Sequence, residues 1–131
     1  MLFPSVNIPL FVIPKFDFLQ FLGYIQKFRI TSIAGVPPIM VALAKHPAVD
    51  KFDLSSLTGL GSGAAPLGKD IIRDLEGKLN KKYKNNLKIR QGWGMTEATC
   101  SVMGFHPDDQ SGNGGSVGEL YANCEAKVCT D

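Results

Sequence analysis

Cysteine, histidine and net charge are all scarce in this chain of 131 residues, and each scarcity bears on the class of function. Its three cysteines, Cys100, Cys124 and Cys129, are odd in number and lack the paired C-x-x-C spacing of a zinc site. They read as reduced thiols of an intracellular protein with no signal-peptide pattern before them. Each of the two histidines, His46 and His106, precedes a proline and reads as a turn residue. A formal charge of +2, with 44% hydrophobic and 20% charged residues, is the balance of a globular protein. It excludes a disordered tail and the basic stripe of a nucleic-acid binder. Long apolar runs are missing too. The most apolar stretch, Met1 to Phe28, is broken by Pro4, Pro9 and Pro14 and carries Lys15, Asp17 and Lys27. No window offers the ~20 apolar residues that a membrane helix needs.

What is present alternates between helix and strand. Phe18, Phe21, Leu22, Ile25 and Phe28 recur at helical spacing after Pro14, with Asp17 as N-cap, Gln20 completing a capping box and Arg29 at the C-terminal end. Residues 30–34 read as a short buried strand. Pro37 and Pro38 open a second helix that Pro47 stops. A strand-like 53–57 leads through the glycine-rich 59–63 into a helix over 69–79, with Ile71, Ile72 and Leu75 on its apolar face. A polar connection, 81–86, precedes a strand at Leu87, Ile89 and Gln91 that runs into the turn Gly92-Trp93-Gly94. A mobile-looking loop, 108–115, and two short strands, 117–121 and 125–128, close the chain. This rhythm predicts an α/β fold, a mostly parallel sheet flanked by helices, with ligands at the carboxyl ends of the strands.

The glycine turns carry the candidate chemistry. Gly59, Gly61 and Ala64 fit the G-x-G-x-x-[GA] dinucleotide pattern, but no acid follows about 20 residues later, where 79–83 reads Leu-Asn-Lys-Lys-Tyr. Gly63 to Asp70 approaches the P-loop, yet Pro66 removes an N–H donor and Asp70 stands where a Ser or Thr should bind Mg²⁺. Lys78, Lys81, Lys82, Lys84, Lys88 and Arg90 cluster around one connection and read as a solvated face. Gln91-Gly92-Trp93-Gly94-Met95-Thr96-Glu97 is the most informative heptad. It places an aromatic plane for stacking, a hydroxyl for a phosphate oxygen and a carboxylate for a hard cation within a few residues. A buried Trp with a surface Glu is the plainer reading of the same residues.

Taken together, Gly61-Ser62-Gly63-Ala64-Ala65-Pro66-Leu67-Gly68 and Gln91-Gly92-Trp93-Gly94-Met95-Thr96-Glu97-Ala98 closely resemble the core of AMP-forming acyl- and aryl-CoA ligases, especially 4-coumarate–CoA ligase-like enzymes. Val36-Pro37-Pro38-Ile39, Lys51-Phe52-Asp53-Leu54-Ser55-Ser56-Leu57 and Gly115-Ser116-Val117-Gly118 agree in the same register, over roughly residues 11–129. The resemblance implies that residues 1–131 form the central part of an N-terminal adenylation domain, without its phosphate loop and C-terminal domain. It further implies ATP, Mg²⁺ and coenzyme A as cofactors and co-substrates, with a small carboxylic acid as substrate. Ala64, Ala65 and Pro66 would line one face of adenine and Trp93, where the family usually has Tyr, the other. Gln91, Gly92, Gly94 and Met95 complete that nucleotide-binding set.

Thr96 would touch phosphate and Glu97 would hold Mg²⁺, the two forming the catalytic pair. Gly61, Gly63, Gly92 and Gly94, with Cys100 and Ser101, would wall the acyl pocket. Coumarate ligases commonly continue Gly-Pro-Val after Glu-Ala, whereas this chain has Thr99-Cys100-Ser101, a more polar floor. The expectation is a fragment of an ATP-dependent carboxylate–CoA ligase, inactive by itself, in the cytoplasm or a peroxisome. The alternatives are a nucleotide-binding or interaction remnant that pairs with a full-length relative by adding strands to its sheet, and a Rossmann-type oxidoreductase.

Overall fold

A computed structural model describes residues 8–106, 109 and 115–129. Helix α1, Phe18–Phe28, starts where Asp17 Oδ1 accepts the Gln20 N–H at 2.8 Å, and it buries Phe21, Leu22 and Ile25. Only half of the capping box forms, because the Gln20 side-chain oxygen lies 3.4 Å from the Tyr24 hydroxyl. Arg29 ends the helix in the left-handed conformation and reaches Asp53 at 2.9 Å and Ser55 at 3.3 Å, both across 24 residues or more. Strand β1, Ser32–Gly35, begins two residues later than the spacing predicts and buries only Ile33. Helix α2, Pro37–Lys45, opens on its two prolines, and a 3₁₀ turn, Pro47–Lys51, follows.

Three expectations about the middle of the chain fail for identifiable reasons. The strand lies in the glycine run itself, β2, Gly59–Ser62, and not in 53–57. There Asp53 Oδ1 takes the Ser55 N–H and Leu54 C=O the Leu57 N–H, which folds the segment into turns. Helix α3 runs from Lys69 to Tyr83, into the first half of the expected polar connection. Its last turn is anchored because the Tyr83 hydroxyl donates to Phe52 C=O and accepts from Leu54 N–H, each at 3.0 Å. After β3, Lys88–Gln91, the chain does not turn at Gly92-Trp93-Gly94 but extends into β4, Trp93–Met95.

The first sheet is parallel, in the order β1-β2-β3, with Ile33, Leu60 and Ile89 aligned across its buried face. Those three join Leu22, Ile25, Met40, Leu43, Leu75 and Leu79 in one core, so the helices cover that face. A second, antiparallel sheet was not legible: β4 pairs with β5, Cys100–Gly104, which pairs with β6, Glu119–Leu120. β6 is shorter than the expected 117–121, and 125–128 forms no strand. Of the expected loop over 108–115, only Asp109 and Gly115 lie among the described residues.

Helix α3 also seals one margin of the parallel sheet. Gly92 N–H donates to Ser62 C=O, so even-numbered residues of β3 face β2 and the odd-numbered ones face outward. Three outward groups, on Leu87 and Ile89, are met by two side chains. Leu87 N–H donates to Asn80 Oδ1 at 2.8 Å and Leu87 C=O accepts from its Nδ2 at 3.0 Å, while Ile89 N–H donates to Glu76 Oε1 at 2.7 Å. The pitches agree: four helical residues rise about 6 Å, as do two strand residues at about 3.3 Å each. The basic cluster is partly absorbed as well, with Lys78 on Asp50 at 3.4 Å, Lys88 on Glu76 at 3.8 Å and Lys82 on Asp50 C=O at 3.1 Å.

Candidate nucleotide site at the carboxyl ends of the strands

The parallel sheet ends on one row, Gly35–Ser62–Gln91. Two loops leave it side by side. One is 63–68, between β2 and α3, and the other is 92, between β3 and β4. They are tied at their roots, since Gly63 N–H donates to Gly35 C=O at 3.1 Å and Gly92 N–H to Ser62 C=O at 3.2 Å. Ala64, Ala65 and Pro66 are exposed on the first loop, and Ala64 holds φ 68. Trp93 is 47% exposed on the second path, followed by exposed Met95, Thr96 and Glu97, the last two in a 3₁₀ turn, Thr96–Ala98. The plainer expectation of a buried Trp is therefore not met.

The segments 61–68 and 92–99, which include the two loops, contain a single charged side chain, Glu97. Among the described residues no three His, Cys, Asp or Glu gather as a metal cage. One exposed carboxylate still suits Mg²⁺, which usually takes one or two carboxylates and completes its shell with water and substrate phosphates.

The expected acyl-pocket glycines separate into two kinds. Gly63 has nothing within 4 Å of where a side chain would begin and leaves open room, whereas a Cβ at Gly61 would rest in ordinary contact with the β1 backbone, Ile33 O lying at 3.8 Å. Gly94 is glycine for another reason: a Cβ would overlap the Cys100 carbonyl across the β4–β5 pair. Gly92 is intermediate, with Met103 O at 3.3 Å. Cys100 and Ser101 are exposed beside each other, Sγ and Oγ 3.8 Å apart, and Thr99 and Cys100 are both left-handed at φ 57 and φ 87. Gln91, expected at the nucleotide, is buried, and its amide bonds both backbone groups of Leu67. Leu67 and Ser62 were not among the expected residues. The Ser62 hydroxyl is buried at the same row and finds no partner among the described residues.

The AMP-binding enzyme family matches residues 7–131. This chain belongs to that family. It is 40% identical over 125 residues to 4-coumarate–CoA ligase 1 of Petroselinum crispum, covering 93% of this chain and 22% of the ligase. It is 43% identical over 121 residues to probable 4-coumarate–CoA ligase 2 of Dictyostelium discoideum, covering 89% and 20%. Among solved structures, a long-chain-fatty-acid–CoA ligase of Archaeoglobus fulgidus superposes with a TM-score of 0.76 at 26% identity, covering 91% of this chain and 24% of that one. The chain thus spans about a fifth of the length of the curated ligases it matches. No described helix of the chain is long and apolar enough to cross a membrane.

Proposed function

We propose that this chain supplies the adenine cradle and the phosphate-facing turn of an ATP-dependent carboxylate–CoA ligase. In that reaction a carboxylate oxygen attacks the α-phosphorus of ATP and the bond to pyrophosphate breaks, giving an acyl adenylate. The sulfur of coenzyme A, having lost its proton, then attacks the acyl carbon and AMP leaves. The observation that carries the reading is the row Gly35–Ser62–Gln91, which roots both exposed loops at the carboxyl end of a parallel sheet, where such sheets bind ligands.

Ala64, Ala65 and Pro66 give one apolar wall and the indole of Trp93 the other, so a purine is held by stacking and exclusion of water. The Thr96 hydroxyl donates to a phosphate oxygen. Glu97 holds Mg²⁺, which when bound balances phosphate charge. Gly61 and Gly63 wall the acid, Gly63 leaving it room, and Cys100 and Ser101 present it a thiol and a hydroxyl. Residues 1–131 form the central part of the adenylation domain. Because the two loops carry no cation to stabilise charge on the transferring phosphoryl oxygens, the chain by itself orients nucleotide without turning it over.

Trp93, the single tryptophan, reports binding directly. Titration with Mg·ATP should quench its fluorescence, and Glu97→Ala should weaken Mg·ATP while leaving metal-free AMP unchanged. Equal loss of both, or no change in either, refutes the role given to Glu97. ATP–pyrophosphate exchange with a panel of acids should show no turnover by this chain.

A further inference from the structure

A buried primary amide needs partners for its oxygen and its N–H groups alike. Gln91, 9% exposed at the end of β3, finds them on the backbone of a residue 24 positions upstream. Its Oε1 accepts the Leu67 N–H at 2.7 Å, and its Nε2 donates to the Leu67 C=O at 3.4 Å. One side chain thus does for Leu67 what a neighbouring strand would do. The loop between β2 and α3 is pinned at its other end by the Gly63–Gly35 backbone bond. Between these pins Ala64 stands at φ 68, a conformation uncommon and costly for a residue with a Cβ. Pro66, next to the clamp, has no N–H of its own to hold the loop in place.

We infer that Gln91 is a positioning residue: acting through Leu67, its side chain keeps Ala64 left-handed and so shapes the exposed 64–66 surface on which adenine stacks. The inference rests on the nucleotide reading above for its consequence in binding, but not for the clamp itself. It assigns the Gln91 amide to the loop and not to the ligand.

The test uses the whole chain and two readouts. Amide exchange is followed at Leu67, with Leu60 and Arg90, whose amides lie between the paired strands β2 and β3, as folding controls. AMP binding is followed by Trp93 fluorescence. Gln91→Met, which removes both amide partners, should speed Leu67 exchange at least tenfold with the strand amides unchanged, and weaken AMP about tenfold. Gln91→Glu, which keeps an oxygen for the Leu67 N–H, should speed it less. Ala64→Gly placed in the Gln91→Met chain should recover most of the lost AMP affinity, because glycine needs no clamp to stay left-handed. The inference is overturned if Leu67 stays protected in Gln91→Met, or if affinity falls and Ala64→Gly restores none of it, the result of direct contact between Gln91 and nucleotide. If the unaltered chain takes up no AMP, the nucleotide reading falls, while Leu67 exchange still upholds or overturns the clamp.

Discussion

Replacing Thr99 by glycine should make the protein more stable, although it removes three side-chain atoms. Thr99 caps the 3₁₀ turn after Glu97 at φ 57, ψ 48, with its N–H on Thr96 C=O at 3.1 Å. Left-handed backbone costs an L-residue about 1–2 kcal/mol, and a β-branched residue is a marked outlier there. The side chain is exposed, so little packing opposes the change. Against the relief stands the greater freedom of glycine in the unfolded chain, about 0.4–1 kcal/mol. The balance is a gain of about 0.5–1 kcal/mol, or roughly 2–4 °C in Tm for a chain of this size. Thr99→Ala, which loses the branch but keeps Cβ, should fall between the two. Thermal melts followed by far-UV circular dichroism give the ranking. A Thr99→Gly chain that melts below the parent would refute the reasoning, because it would mean that the threonine makes contacts that outweigh its backbone strain. Coumarate ligases, which this chain resembles, commonly place glycine at this point.

Other substitutions separate the roles given to neighbouring residues. Gly94→Ala should cost more than about 2 kcal/mol in urea denaturation, since its Cβ meets backbone that cannot move without parting β4 from β5, whereas Gly63→Ala, with open space around it, should stay within about 0.5 kcal/mol. If Gly63 walls the acyl pocket, the same alanine should change which acids protect the protein in ligand-dependent melts. Asn80→Ala should cost about 1–3 kcal/mol by stranding both backbone groups of Leu87, and exchange at the Leu87 amide should rise with it. Hydrogen bonds from the Ser55 backbone and side chain, then the Arg29 guanidinium, hold the Asp53 carboxyl below its ordinary 3.8. A depressed acid stabilises the fold above 3.8 and loses that contribution as pH falls through its folded value, so an NMR titration of Asp53 should give a midpoint below 3.8, and Asp53→Asn should flatten the acid limb of the stability profile.

Local signals were legible where side chains repeat at the spacing of the element. The apolar residues of α1 and its Asp17 cap are read directly from the sequence, and the observed helix has the same bounds. Where pairing comes from elsewhere in the chain, composition misled. The glycines of 59–62 look like a turn but become a strand because β1 and β3 flank them on both sides. Trp93, Gly94 and Met95 are all exposed, so β4 shows none of the in–out alternation that marks a half-buried strand. At the site, both loops and most of their exposed residues were named by resemblance. The Gln91–Leu67 clamp was not, because a contact across 24 residues leaves no periodic trace in sequence.

The helix-sealed margin of the parallel sheet has a consequence for how copies of this chain meet. Gly63 N–H on Gly35 C=O, and Gly59 N–H on Thr31 C=O, turn the odd-numbered groups of β1 inward and leave those of Ser32 and Ala34 directed outward. With Asn80 and Glu76 occupying the far side, the sheet keeps, among the described residues, one open margin for growth by strand addition. Association along that route therefore terminates at two chains, and cannot propagate into the ribbons that a sheet bare on both margins would build.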